Sequence, residues 1–306
     1  MRRLLSSELL RFRSRRLVVV MLIGALVAMG VGIVIAAWQS TPPTDAVIAA
    51  ARAQAREELE HCLEGVFDLP EEFPGSPEEF CRENFGNPAH YMPSHLALVD
   101  LPRILEGISS ITSILGLVIG ASIVAASWQT GTISTIFTWE PRRLRWFAAR
   151  IMVVAAGLLV MTALIVSFLA AGLALAAMLR GSTAGVGGEW WTDVLTTTLR
   201  LSVAAAVAGV IGGAVAAVGR HTAAALGAVF IYTAVLEGLV RGFRPQWTPW
   251  LLGDNIVAFI SWQATSFQLA SGSFVLSPGR AVFVILGYVA VLLALGSVFV
   301  RTRDVQ

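Results

Sequence analysis

Cys62 and Cys81 are the only cysteines, and three of the four histidines, His61, His90 and His95, lie in the same acidic stretch. In an oxidising compartment the expected outcome is a Cys62–Cys81 disulfide, worth roughly 3 kcal/mol for a ring of this size. A zinc or copper site is the rival reading, because thiolate and imidazole are common ligands of both metals. Against it, the spacing has no Cys-x-x-Cys pair, and a disulfide would consume both thiolates. No Ser-His-Asp constellation and no intramembrane metal cluster is legible, so nothing in the sequence argues for an enzyme.

The other reactive or polar candidates lie in apolar surroundings. Ser109, Ser113, Gly116 and Gly120 fall on one helical stripe, and Gly209 to Gly213 forms a GxxxG pattern. Both patterns are close-packing faces by default, although the hydroxyls of Ser109 and Ser113 could line a solute path in a dimer. Glu237 and Arg241 are spaced i, i+4, which suits a structural salt bridge or a gate. Glu106 carries the same ambiguity.

The elements that must position these residues are membrane helices. Of 306 residues 56% are hydrophobic and 14% charged, a balance far from that of a soluble globular protein. The expected fold is all-α and polytopic, since six stretches reach the roughly 20 apolar residues that a spanning helix needs. They cover residues 17–38, 104–127, 147–178, 201–218, 222–240 and 281–300. The third is long enough that it must tilt or project into water, and Arg150 places the projection at its amino-terminal end.

Charge gives the orientation. The net charge is only +2, yet Arg2, Arg3, Arg11, Arg13, Arg15 and Arg16 precede the first span, and acids concentrate in residues 45–100. The positive-inside rule then places both termini, the 128–146 segment and the 219–221 turn in the cytosol, with the 39–103, 179–200 and 241–280 segments outside. Residues 1–16 are expected to form an amphipathic interface helix with Leu5, Leu9 and Phe12 towards lipid. The outer loop, too small and charged to bury much of a core, is expected to hold a helix through residues 46–60, then irregular structure imposed by Pro70, Pro74, Pro77, Pro88 and Pro93. Trp247, Trp250, Phe259, Trp262 and Phe267 make residues 241–280 read as interfacial or re-entrant helices.

Every basic residue is Arg, and a Walker A loop needs Lys, so the chain lacks that form of ATP site. Between the second and third spans lies a short amphipathic insert. Thr130 can cap a short helix there, while Pro141 and the arginines Arg142, Arg143 and Arg145 stop it and hold it at a polar surface. Such an insert is either a loop anchored by charge or a place where another protein pushes.

The run Trp128-Gln129-Thr130-Gly131-Thr132 leading to Thr138-Trp139-Glu140-Pro141-Arg142-Arg143, the basic surface helix, the large outer loop and the closing Arg303-Asp304-Val305 resemble permeases of the type-2 ABC transporter family. Two departures stand out: Ser127 replaces a frequent Glu, and Arg150 replaces a frequent Lys. The first puts in doubt any role that needs a carboxylate there. The second keeps the charge but not the geometry.

The resemblance implies a bacterial inner-membrane exporter subunit that pairs with a second permease subunit, identical or related. Each would rest on a cytosolic ATPase that holds ATP and Mg, this chain binding no cofactor and no nucleic acid. Residues 131–141 would form the coupling helix, with Gly131, Thr132, Glu140, Pro141, Arg142 and Arg143 transmitting motion. Solute would pass mainly the second and fifth spans, with Ser109, Ser113, Tyr232, Thr233 and Glu237 as candidate lining. An ion-driven secondary transporter and a non-transporting sensor or scaffold are the alternatives.

Overall fold

Six helices are long and apolar enough to cross a membrane: Arg16–Gln39, Ser109–Gln129, Arg143–Arg180, Gly188–Gly219, Thr222–Phe243 and Pro278–Thr302. The computed structural model describes residues 2–42, 44–64, 76–92, 95–184, 186–269 and 272–302. Pro70, Pro74, Pro93 and the closing Arg303-Asp304-Val305 therefore lie outside the described residues. The chain divides into two compact units: residues 1–29, 102–170 and 188–306 in one, and residues 30–101 and 171–187 in the other.

The larger unit is organised around α6 (Ser109–Gln129) and α9 (Gly188–Gly219), which pack along their length. Glycine makes this possible. A Cβ on Gly120 would sit 2.0 Å from the carbonyl oxygen of Gly209, and one on Gly116 would sit 2.2 Å from that of Ala205. A Cβ on Gly212 would meet the Leu117 carbonyl at 2.5 Å, so the two backbones touch directly. Small residues permit this approach in an apolar solvent, where helix association relies on van der Waals contact. The glycines of both small-residue patterns thus serve close packing.

Around this pair stand α8 (Arg143–Arg180) and α13 (Pro278–Thr302). A buried cluster joins Ala121, Val124, Trp146, Phe147, Val210 and Val300 at one end of the unit. At 38 residues, α8 extends about 57 Å at 1.5 Å per residue, beyond the roughly 30 Å hydrocarbon thickness. The helix after the 219–221 turn is interrupted: α10 (Thr222–Phe230) passes through a π-helical stretch, Ile231–Leu236, into α11 (Glu237–Phe243).

Residues 241–280 are only partly helical. A 3₁₀ segment, Pro245–Trp250, leads into α12 (Leu252–Ser261), but an antiparallel hairpin follows, β1 (Thr265–Leu269) with β2 (Gly272–Leu276). This departs from the expectation of interfacial helices alone. The aromatic residues that suggested an interface include Phe267, which lies on a strand paired with Phe274.

The amino-terminal helix α1 (Arg2–Ser14) forms, and the apolar side chains expected to share a lipid-facing stripe divide between the protein and the surface. Phe12 is buried against Gly157 of α8, whereas Leu9 is 53% exposed and the inner position is taken by Glu8, 3% exposed.

The smaller unit contains α3 (Asp45–Leu63), α4 (Pro77–Asn84) and a 3₁₀ turn, Pro88–Tyr91. Thr44 caps α3, its side chain accepting from the Val47 N–H at 3.5 Å. Ala51, Ala55 and Cys62 form the buried stripe of α3, and Cys62 is joined to Cys81 of α4 by a disulfide. A second tie lies at Ser40, whose hydroxyl donates to the Arg180 carbonyl at 2.7 Å and accepts from the Leu96 N–H at 2.9 Å. Ala97 and Ser182 add a parallel bridge, with Leu98 N–H donating to Ser182 O at 2.8 Å. The disulfide and these few bonds supply the restraint that a large core would otherwise give.

Candidate functional site

The insert between α6 and α8 is built as a rigidly mounted helix. Gly131 adopts φ +67°, a left-handed conformation that costs other residues energy, and turns the chain sharply after α6. Thr130 does not cap the next helix. It is the C-cap of α6, and its hydroxyl donates to the Ala126 carbonyl at 2.8 Å and contacts the Thr132 hydroxyl at 3.0 Å. Thr132 occupies the N-cap of α7 (Ile133–Trp139), with no side-chain cap bond. Glu140 ends the helix, and Pro141 leads into α8 at Arg143.

The two faces of α7 differ completely. Ile133, Ile136 and Phe137, spaced i, i+3, i+4, pack into the cluster of Trp146, Phe147 and Val300, with Phe137 edge-on to Trp146 at 5.4 Å. Arg143 stacks over Phe137 at 5.2 Å and donates to the Arg301 carbonyl at 3.5 Å. The opposite face, Ser134, Thr135, Thr138 and Trp139, is exposed, and Trp139 is 87% exposed. Gly131, Thr132, Pro141 and Arg142 are also exposed, while Glu140 and Arg143 are partly buried, and all six flank α7.

Behind α7 lies a buried ionic cluster that the sequence reading passed over. Arg150 of α8 grips Glu8 of α1 in a bidentate fork, Nε to Oε2 at 2.9 Å and Nη2 to Oε1 at 3.1 Å. Its Nη1 donates to the Ser127 hydroxyl and to the Ile123 carbonyl at 3.4 Å. The guanidinium also lies 4.5 Å above the Trp146 ring. Ser127 thus serves as acceptor for Arg150, while a carboxylate reaches the same guanidinium from α1. One sequence signal existed: Glu8 is the only acid before Asp45.

At the other candidate region, Ser113 and Thr233 line a cavity of about 420 Å³. Its walls are otherwise apolar, including Leu117, Ile211, Phe230 and Leu252. The Ser113 hydroxyl oxygen has no hydrogen-bond partner. Ser109 does not border this cavity, and neither does Tyr232. The Tyr232 hydroxyl instead bonds to that of Tyr288 at 2.7 Å and accepts from the Leu252 N–H at 3.4 Å.

Glu237, 2% exposed, accepts from Arg241 Nη2 at 3.0 Å and from the Gly253 N–H at 2.9 Å. Arg241 also donates to Asp254 at 3.1 Å. The pair expected from i, i+4 spacing is therefore part of a tie between α11 and the start of α12. Tyr232, Thr233 and the approach to Glu237 occupy the π-helical stretch, a geometry that recurs at functional sites. Among the described residues no group of three or more His, Cys, Asp or Glu side chains could hold a metal ion, and the disulfide removes both sulfurs from the zinc or copper reading.

No protein-family model matches this chain, and no curated protein matches it.

Proposed function

We propose that this protein is the membrane-spanning subunit of an ATP-driven exporter, powered by separate cytosolic ATPase subunits and working as a pair of such chains. The observation that carries the reading is the split character of α7. Its inner face is locked into the ends of the membrane helices while Trp139, 87% exposed, faces away beside the exposed Pro141 and Arg142. A helix mounted in this way passes an external push directly into α6, α8 and α13. Large exposed aromatic side chains with neighbouring arginines are also the residue types that anchor protein partners.

In this reading ATP and Mg bind the partner, and ATP-dependent closure of the two ATPases displaces α7. The solute would occupy a path between subunits, bordered by the cavity at Ser113 and Thr233. Alternation requires only that the outward and inward states bind the solute and the ATPase differently. An ion-driven transporter is the competing reading, and Glu8 and Glu237 are buried carboxylates of the kind it would need. Both, however, are held in ion pairs.

Reconstitution into proteoliposomes with a candidate ABC ATPase separates the two. Flux that needs both ATP and the ATPase supports the proposal. Flux driven by a proton gradient without ATPase overturns it.

A further inference from the structure

A cavity of about 260 Å³ opens beside the Glu8–Arg150 pair, walled by Glu8, Arg11, Arg15, Ser127, Thr132 and Arg150 among others. Glu8, Arg11, Phe12 and Arg15 recur at i, i+3, i+4 and i+7, so one face of α1 and the residue that follows it deliver both charge and anchor to this place. Three guanidinium groups and a single carboxylate border the cavity, and that carboxylate is already forked by Arg150. Arg11 touches Glu8 through Nη1 at 3.0 Å and is 56% exposed, which leaves most of its five N–H donors unused.

Among the described residues the Arg15 guanidinium has no hydrogen bond or ion pair, although it is only partly exposed. Burial, and then the neighbouring Arg150, make its charge harder to hold. A half-buried, unpaired cation next to a like charge calls for an anion.

We propose that this cavity is a binding site for a phosphate anion, monoester or diester, held between Arg11 and Arg15. The oxygens of a carboxylate lie in one plane, whereas those of a phosphate point to the corners of a tetrahedron and can meet two guanidinium groups that approach from different directions. The proposal rests on the charge geometry around α1 and is independent of what the protein transports. Two sources share this chemistry: a free phosphate compound, and the headgroup of an anionic lipid whose chains would meet Leu9 and Leu10 on the exposed side of α1, 53% and 69% exposed.

The test uses the purified full chain in nonionic detergent. Native mass spectrometry reads binding of dioctanoyl phosphatidylglycerol against dioctanoyl phosphatidylcholine, and thermal melting reads titrations of inorganic phosphate and acetate. Arg15→Gln and Arg11→Gln are compared with Arg13→Gln, which removes a charge from the same helix outside the cavity, and each variant is first checked for an unchanged melting temperature without ligand. A lipid source predicts selective phosphatidylglycerol binding, about tenfold weaker in Arg15→Gln and Arg11→Gln and unaltered in Arg13→Gln, as expected for loss of one charge-assisted contact. A phosphate-induced rise in melting temperature that the same two variants lose, without lipid selectivity, assigns the site to a free phosphate compound. Equal responses in all three variants, acetate acting as well as phosphate, or binding of neither probe overturns the proposal.

Discussion

Glu8 and Arg150 show how one ionic contact can set the attitude of a helix. Apolar spacing suggests a lipid-facing stripe of Leu5, Leu9 and Phe12, yet Phe12 turns into the protein beside Glu8, for burying an Arg on α8 obliges a carboxylate to meet it and Glu8 is the only acid before Asp45. Glu8 and Phe12 are therefore both inside, and Leu9 stays exposed. Removing one partner by Glu8→Gln or Arg150→Met should cost about 3–5 kcal/mol, because the other charge is stranded. The double replacement should cost less than the sum, and melting curves of the two single variants and the double variant check this coupling. Arg150→Lys should recover little, since an ammonium cannot reproduce the two-pronged contact with Glu8 while also serving Ser127. The sequence displayed the two charges plainly; what it hid was their pairing, 142 residues apart.

Elements were legible in proportion to how local their causes are. The boundary of α7 follows from Gly131 and Pro141, and its buried face from Ile133, Ile136 and Phe137, all contained within a dozen residues. The role of Thr130 was misplaced because a hydroxyl between two helices can close the first or open the second, and here the Ala126 carbonyl claims it. The hairpin after α12 was missed since aromatic residues near a membrane boundary suit interfacial helices and strands equally, and strand pairing is a non-local event. For α7 two outcomes follow. Gly131→Pro is incompatible with φ +67° and should misdirect the helix, while Arg142→Glu with Arg143→Glu should leave it formed but repel an acidic docking surface. Both should lower ATPase-linked flux without altering membrane insertion, and unchanged flux in both would refute the coupling role.

For the molecule as a whole, composition alone announced the six long apolar helices, because the bilayer thickness fixes their length and hydropathy. The Cys62–Cys81 disulfide was likewise foreseeable, there being only two cysteines to join. Cys62→Ser should destabilise the smaller unit by roughly 3 kcal/mol, detectable as earlier proteolysis within that unit while the larger unit is still intact. The cavity at Ser113 and Thr233 was only half legible, for Ser109 shares its stripe yet lies elsewhere, a difference of axial position that spacing alone does not resolve. The seam of α6 and α9 has a further consequence, for the order in which the protein assembles. Glycine and alanine have no rotamers to freeze, so these helices associate at almost no side-chain entropic cost once both are in the membrane. They are therefore expected to find each other first and to template the later docking of α8 and α13, and a Gly120→Leu chain should reach the membrane yet stall as separate, protease-sensitive helices.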